Sequence, residues 1–253
     1  MIDGGHEERV AILDPQSGIA AEVIEQLLAR KVSVAVLGRD LAGFDSTRIA
    51  ATRQCDLTNF DNLSEALNEV TEELGGLTGL VNCAGSMLLK PAHLTSRADF
   101  DEIVASNLTT AFAMVRCAKS IFKGDGGSVV LLSSAAATLG MGNHEILSAT
   151  KAAVENLARA AAATYYSSDI RFNVVAPGLI ETALSHQLTQ IPAPRNISNT
   201  LHPLGELGMP SDIARAICWL LDPDQSWITG QILGVDGGLY RVQTRPSMSI
   251  GGT

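Results

Sequence analysis

"SVVLLSS" (128–134), "NHEILSATKAAVENLARAAAA" (143–163) and "IRFNVVAPG" (170–178) stand in succession, and their reading decides the fold. The outer two are apolar runs rich in Val, Leu and Ile without polar alternation, the pattern of strands covered on both faces. The stretch between them has the length and alanine content of a helix packed into an apolar setting. Strand, helix and strand in this order imply a right-handed crossover within a parallel sheet. One charge does not belong. Lys151 has Ala149, Ala152 and Ala153 around it, and the residue one turn earlier on the same face is Leu147.

Working outward, the same alternation recurs along the chain. "RVAIL" (9–13) precedes the helical "SGIAAEVIEQLLARK" (17–31), and "VSVAVL" (32–37) and "ATRQCDL" (51–57) read as further strands. "NFDNLSEALNEVTEEL" (59–74) leads to "LTGLVNCAG" (77–85), and two helical stretches around Asn107 lead to residues 128–134. "SDIARAICWLL" (211–221) then leads into "GQILGVDGG" (230–238). About six such repeats predict an α/β fold of one domain spanning 1–253. Its form is a Rossmann-like, doubly wound sheet of about seven parallel strands with helices on both faces. Residues 182–209, with Pro192, Pro194 and Pro203, carry the weakest pattern and read as a lid. The tail, 241–253, reads as a frayed end or one packed on a neighbouring subunit.

With 253 residues, 46% hydrophobic and 18% charged, the chain is ordinary globular material with ample length for a core. A net charge of -9 excludes nucleic acid and anionic membrane surfaces as partners, since both need clustered Lys and Arg. The start, "MIDGGHEERVAIL", lacks the apolar stretch of a signal peptide, and no run approaches a membrane-spanning helix. Cys55, Cys83, Cys117 and Cys218 are scattered, which reads as buried thiols in a reducing cytoplasm rather than disulfides or a metal site.

In a doubly wound sheet, ligands bind beyond the carboxyl ends of the strands. The segments to inspect there are "CDLTNFDN" (55–62), "LVNCAG" (80–85), "SNLTTAF" (106–112), "GGSVVLLSSAAA" (126–137), "SATKAAVENLAR" (148–159), "IRFNVVAPGLIETAL" (170–184) and "ITGQILGVDGG" (228–238). In their order and spacing these resemble the short-chain dehydrogenase/reductase family, over residues 9 to 240.

The resemblance implies a nicotinamide dinucleotide lying across the strand ends. Asp56 and Leu57 would border the adenine, and Asn82, Ala84 and Gly85 would support the middle of the cofactor. Pro177, Gly178, Ile180 and Thr182 would flank the nicotinamide amide. By their residue types alone, Asn82, Gly85 and Gly178 would also serve simply as turns. After the second strand comes "LGRD" (37–40), where Gly38 holds the place of an acid in NAD-preferring relatives. Arg39 has the planar fork of donors that suits a 2′-phosphate, which favours NADP(H) over NAD(H). The alternative is a solvated loop charge.

Two departures from the family pattern stand out. Its glycine-rich turn, TGxxxGxG, reads here "LDPQSGIA" (13–20), with Asp14 at the first glycine, Ala20 at the third and only Gly18 kept. Ser17, Gly18 and Ile19 would present the helix N–H groups to a pyrophosphate. Asp14 followed by Pro15 also reads as an N-cap with proline in the first turn, its carboxylate filling the place meant for phosphate.

The second departure concerns the family's catalytic Tyr-x-x-x-Lys, with a serine thirteen residues before the tyrosine and an asparagine upstream. Asn107, Ser134 and Lys151 fall at the expected places, while the tyrosine position holds Leu147. In the family the lysine lowers the phenol's pKa and holds the nicotinamide ribose. Leucine transfers no proton, and general acid–base catalysis is worth ~10²–10⁴ in rate. His144, three residues earlier, is the nearest titratable substitute.

Three functions fit these residues. The first is an atypical NADP(H)-linked oxidoreductase for a small, fairly apolar carbonyl, enone or imine compound that needs little acid help. The second is a non-catalytic binding or partner subunit with weak or no dinucleotide binding. The third is a lyase or isomerase using Lys151 or His144 as base. The pocket wall is expected from Met87, Leu88, Leu139, Met141, Leu184 and Leu188. Assembly into a homodimer or homotetramer is expected through the Ala-rich helix and "WITGQILGVDGGL" (227–239).

Overall fold

A computed structural model describes residues 7–41 and 44–243. Seven strands form its sheet: β1 (Arg9–Leu13), β2 (Ser33–Gly38), β3 (Ala51–Gln54), β4 (Gly79–Asn82), β5 (Gly127–Leu132), β6 (Ile170–Pro177) and β7 (Ile232–Val235). Their spatial order is β3-β2-β1-β4-β5-β6-β7, and every paired neighbour is parallel. The chain winds outward from β1 to one edge, returns to β4 and winds to the other edge. The switch point therefore lies between β1 and β4, where Leu13 pairs with Asn82.

Successive strand residues point to opposite faces, so both neighbours in an apolar run are buried. Leu13, Leu80, Leu131 and Val174 enter one core, against the helices α2 (Phe60–Leu74), α4 (Thr110–Phe122) and α5 (Glu145–Tyr165). Ile12, Val81, Val130 and Val175 enter the other, against α1 (Gly18–Ala29) and α8 (Pro210–Leu221). The unbroken runs of the sequence are the natural solution for a sheet with no wet face.

Around Asn107, the chain forms α3 (Arg97–Ile103) and α4 with a π-helical turn, Val104–Thr109, between them. A π-turn adds one residue to the helical repeat and rotates the helix beyond it, a device common at functional positions. It buries Asn107 to 2% exposure.

The segment 182–209 is more regular than its sequence pattern implies. It holds α6 (His186–Thr189) and α7 (Pro192–Leu201). Pro192 occupies the first turn of α7, where its missing N–H has no helical partner to lose, so the proline starts the helix rather than breaking it. Of the tail, residues 244–253 lie outside the described residues. Among the described residues, no helix is long and apolar enough to cross a membrane.

Candidate active site

A cleft of about 400 Å³ opens at the carboxyl ends of β1, β4, β5 and β6, next to the switch point. Its floor is set by α5. Lys151 lines the cleft yet is only 7% exposed, and its Nζ donates to the Leu132 carbonyl at 3.1 Å. Among the described residues no carboxylate forms an ion pair with it. Burial drives the Lys151 ammonium down to about 8, opposed by the nearby Cys83 thiol. Burial in turn raises the Cys83 thiol, helped by the charge of Asp14.

Gly85 follows β4 and runs against this lysine. A Cβ at Gly85 would stand 2.8 Å from Asn107 Oδ1 and 3.3 Å from Lys151 Nζ. Any larger residue would push these side chains apart. Asn107 is fastened to the same loop in both directions: its Nδ2 donates to the Ser86 carbonyl at 3.0 Å, and the Ser86 N–H donates to its Oδ1 at 3.3 Å. Ser134, beyond β5, caps a short 3-10 turn by accepting from the Ala136 N–H at 3.2 Å. Ser134 is also a lining residue of the cleft.

Leu147 also lines the cleft, at 5% exposure, one helical turn before Lys151. His144 does not line it; its Nδ1–H donates to the Gly142 carbonyl at 2.7 Å outside the helix start. Of the expected apolar wall, Met87 and Leu184 line the cleft, whereas Leu88, Leu139, Met141 and Leu188 do not. Leu88 follows the lining residue Met87, and Leu188 lies in α6 beyond the lining residue Ser185; Leu139 and Met141 lie beyond Ser134, the last lining residue of that stretch before α5.

At the phosphate turn, the N-cap of α1 is Ser17, whose Oγ accepts from the Ala20 N–H, so Asp14 does not cap this helix. The reason is spacing: three residues separate Asp14 from the first helical residue. Asp14 instead takes a left-handed backbone, φ 60°, with its N–H donating to the Leu37 carbonyl at 2.8 Å. Glycine suits that region, and Asp is among the few other residues that visit it readily. Asp14 lines the cleft, and burial raises the pKa of its carboxyl, with Arg39 opposing. Ser17, Gly18 and Ile19 line the same wall, and Ala84, Pro177, Gly178, Ile180 and Thr182 complete it across the opening.

Four expected cofactor residues lie away from this cleft. Arg39 and Asp56 form an exposed pair at 3.8 Å past the ends of β2 and β3. Thr58 donates to Asp56 from its N–H and its hydroxyl, which lowers the Asp56 pKa first, with Arg39 adding to it. Leu57 is buried in the core behind them. Asn82 is 3% exposed; its Oδ1 accepts from the Ala84 N–H and its Nδ2 donates to Thr110. It shapes the loop rather than facing the opening.

Two features escape the sequence reading. Ser133 donates to Glu155 Oε1 at 2.8 Å and to the Lys151 carbonyl at 3.3 Å, tying α5 to the end of β5 through a buried pair. The signal was present, since Glu155 stands four residues after Lys151 on the same helix face. Buried His202 accepts the Leu179 N–H at 3.2 Å and donates from Nδ1 to the Ser198 carbonyl, fastening α7 behind the strand-end turn. A Cβ at Gly178 would stand 2.7 Å from that ring. No local pattern marks such a long-range contact.

Fold and cleft define the class: a doubly wound α/β protein with lysine, asparagine and serine gathered at the carboxyl ends of its strands. Likeness to known proteins makes it specific. Residues 15–240 match the family described as Enoyl-(Acyl carrier protein) reductase. A tropinone reductase homolog of Arabidopsis thaliana is 32% identical over 236 residues, 88% of each chain. The cis-4-hydroxycyclohexanecarboxylate dehydrogenase of Sinomonas cyclohexanicum is 34% identical, over 93% of this chain and 98% of its own. The solved structure of ElxO with NADP bound superposes with a TM-score of 0.84 at 26% identity, over 92% of this chain and 98% of that one. The chain belongs to the short-chain dehydrogenase/reductase family.

Proposed function

We propose that this chain is an NADP(H)-linked oxidoreductase for a small, fairly apolar carbonyl, enone or imine compound, working without the tyrosine proton donor. The observation that carries this reading is the joint placement of Lys151, Asn107 and Gly85 in one contact at the cleft. The residues fit a dinucleotide. Gly85 keeps the loop low enough for a flat group to lie over it, and the N–H groups at the start of α1 open onto the same wall. Ser17, Gly18 and Ile19 would hold the pyrophosphate, Ala84 and Gly85 the middle, and Lys151 the nicotinamide ribose. Pro177, Gly178, Ile180 and Thr182 would flank the nicotinamide amide, with Asp56 and Leu57 on the adenine side and Asn82 bracing Ala84. The bound nicotinamide supplies the hydride.

The chain's own groups then orient and polarise. Ser134 has a hydroxyl proton to give a substrate oxygen, and Lys151 contributes positive charge beneath it. Leu147 contributes only shape, so a substrate that arrives already protonated or conjugated suits the site best. The relatives' names, a reductase homolog and a dehydrogenase of a ring alcohol, support a small oxygenated substrate. The ElxO complex and the exposed fork of Arg39 support NADP(H) over NAD(H). A lid role for 182–209 is supported by Thr182 and Leu184, which line the opening from that segment. Homo-oligomerisation is supported by the exposed rings of Phe100, Phe112 and Trp227. A cytoplasmic setting is supported by four free, buried cysteines.

Calorimetric titration with NADP(H) and NAD(H) tests the reading. A low-micromolar Kd for NADP(H), followed by NADPH consumption with an enone or iminium panel, is the expected result. Heat with neither dinucleotide moves the assignment to a second reading, a non-catalytic partner subunit. Two observations favour that one: Asp14, an acid, lines the cleft beside Ser17 and Gly18, and Leu147 has no proton to give.

A further inference from the structure

Lys151 has the placement of a nucleophile. Of the five lysines, Lys31, Lys90, Lys119, Lys123 and Lys151, only the last lines the cleft. Lys90 illustrates the ordinary case: its Nζ rests 2.7 Å from the Asp99 carboxylate, an ion pair at the surface. Among the described residues, Lys151 has no such anchor. Its Nζ makes one described hydrogen bond, to a main-chain carbonyl, which accepts from a neutral amine as well as from an ammonium. Leu147 and Met87 line the same cleft, and Gly85 and Asn107 Oδ1 lie beside the lysine, a largely apolar setting that binds small apolar molecules and disfavours a buried charge. A phenol at position 147 would lie on the same helix face and contend for the lysine's lone pair and its space. Leucine does neither.

We infer that Lys151 is a covalent site, forming an imine with small apolar aldehydes or ketones that enter the cleft, independently of any dinucleotide. The neutral amine's lone pair attacks the carbonyl carbon, and one amine proton passes to the former carbonyl oxygen to give a carbinolamine. That hydroxyl leaves as water with one proton drawn from solvent, and the nitrogen keeps a double bond to carbon as a protonated imine. Ser134, a lining residue of the same cleft whose oxygen already accepts from Ala136 N–H, keeps its O–H proton free to donate to the departing oxygen. No oxidant or reductant is consumed. Such an adduct opens α-proton exchange and carbon–carbon cleavage to the protein, chemistries outside hydride transfer.

The neutral fraction sets the rate advantage. A lysine at about 8 is roughly a tenth neutral at pH 7, some two hundred times the fraction of an ordinary exposed lysine near 10.4. The experiment uses the full chain without nucleotide, limiting propanal, and sodium cyanoborohydride to reduce any imine to a stable secondary amine, followed by peptide mass mapping. The expected result is alkylation of Lys151 at least tenfold faster than of Lys31, Lys90, Lys119 or Lys123 at pH 7. Labelling of Lys151 no faster than the surface lysines overturns the inference.

A second variant guards against an uninformative misfold at the lysine itself. Leu147→Tyr should slow labelling of Lys151 at least tenfold while the other four lysines keep their rates. Unchanged labelling of Lys151 in that variant shows that residue 147 does not control the site and overturns the inference as argued. Because no dinucleotide is present, neither result depends on whether NADP(H) binds.

Discussion

Lys151 Nζ donates to the Leu132 carbonyl at 3.1 Å, so the one cation lining the cleft among the described residues is held by the end of a strand and not by an acid. A main-chain carbonyl replaces only part of the hydration that an ammonium loses on burial. The folded protein therefore resists charging this side chain.

The stability consequence has a definite sign. The Lys151 pKa is lower in the folded chain, about 8, than in the unfolded chain, near 10.4. Between those values the unfolded state binds more protons, so stability rises with pH across that window and is depressed below it. At neutral pH the cost is on the order of 3 kcal/mol. Lys151→Met, which keeps the stem and removes the charge, should raise the urea midpoint at pH 7 and show little gain at pH 10. Equal midpoints at pH 7 would refute this.

A second titration lies at the phosphate wall. Burial raises the pKa of Asp14, so its carboxyl takes a proton at higher pH than a free aspartate does. A charged carboxylate repels pyrophosphate; a neutral one can donate to it. NADP⁺ affinity should therefore increase as pH falls through that raised pKa. Asp14→Asn should bind about tenfold tighter at pH 7.5, an estimate from partly screened repulsion between like charges. Calorimetry from pH 4 to 8 checks this, the variant's curve isolating the part due to Asp14. Parallel curves for both proteins would remove Asp14 from the account.

Arg39 separates the two dinucleotides. Its guanidinium is 75% exposed and only loosely paired with Asp56 at 3.8 Å, so it is available to a phosphate at small cost. Arg39→Ala should weaken NADP⁺ about tenfold, the lower end for a charge-assisted hydrogen bond in water, and leave NAD⁺ nearly unchanged. Equal losses for both would show that Arg39 shapes the loop and does not read the 2′-phosphate.

Much of this fold and part of its cleft are legible in the residues themselves. Apolar runs such as "VSVAVL" announce buried parallel strands because each residue must suit one core or the other, and the sheet accepts no polar face. Asn107, Ser134 and Lys151 were legible through their resemblance to the family pattern, and the fold gathers them on one cleft. The role of Asp14 was not. Its left-handed φ depends on the hydrogen bond to Leu37 in a neighbouring strand, which no local preference encodes. Nor was α7, since proline signals a break or a start depending on where the previous segment ends. His202 and the Ser133–Glu155 pair depend on contacts between distant segments.

The last prediction concerns the missing hydroxyl. Leu147 and Lys151 lie one turn apart on α5 with both side chains on the cleft, so a tyrosine at 147 would carry its ring toward the same opening. The lysine's charge would stabilise the phenolate and lower the phenol's pKa from near 10 toward neutrality. Leu147→Tyr should raise NADPH-dependent reduction of plain ketones by about 10²-fold or more, the range for a positioned general acid. The gain should appear in kcat rather than KM, because the proton is needed only as the carbonyl oxygen gains charge. Reduction of a preformed iminium should change little, since that substrate brings its own proton. A variant that binds NADPH but reduces ketones no faster than the wild type would mean that the rest of the site, and not residue 147, limits the chemistry.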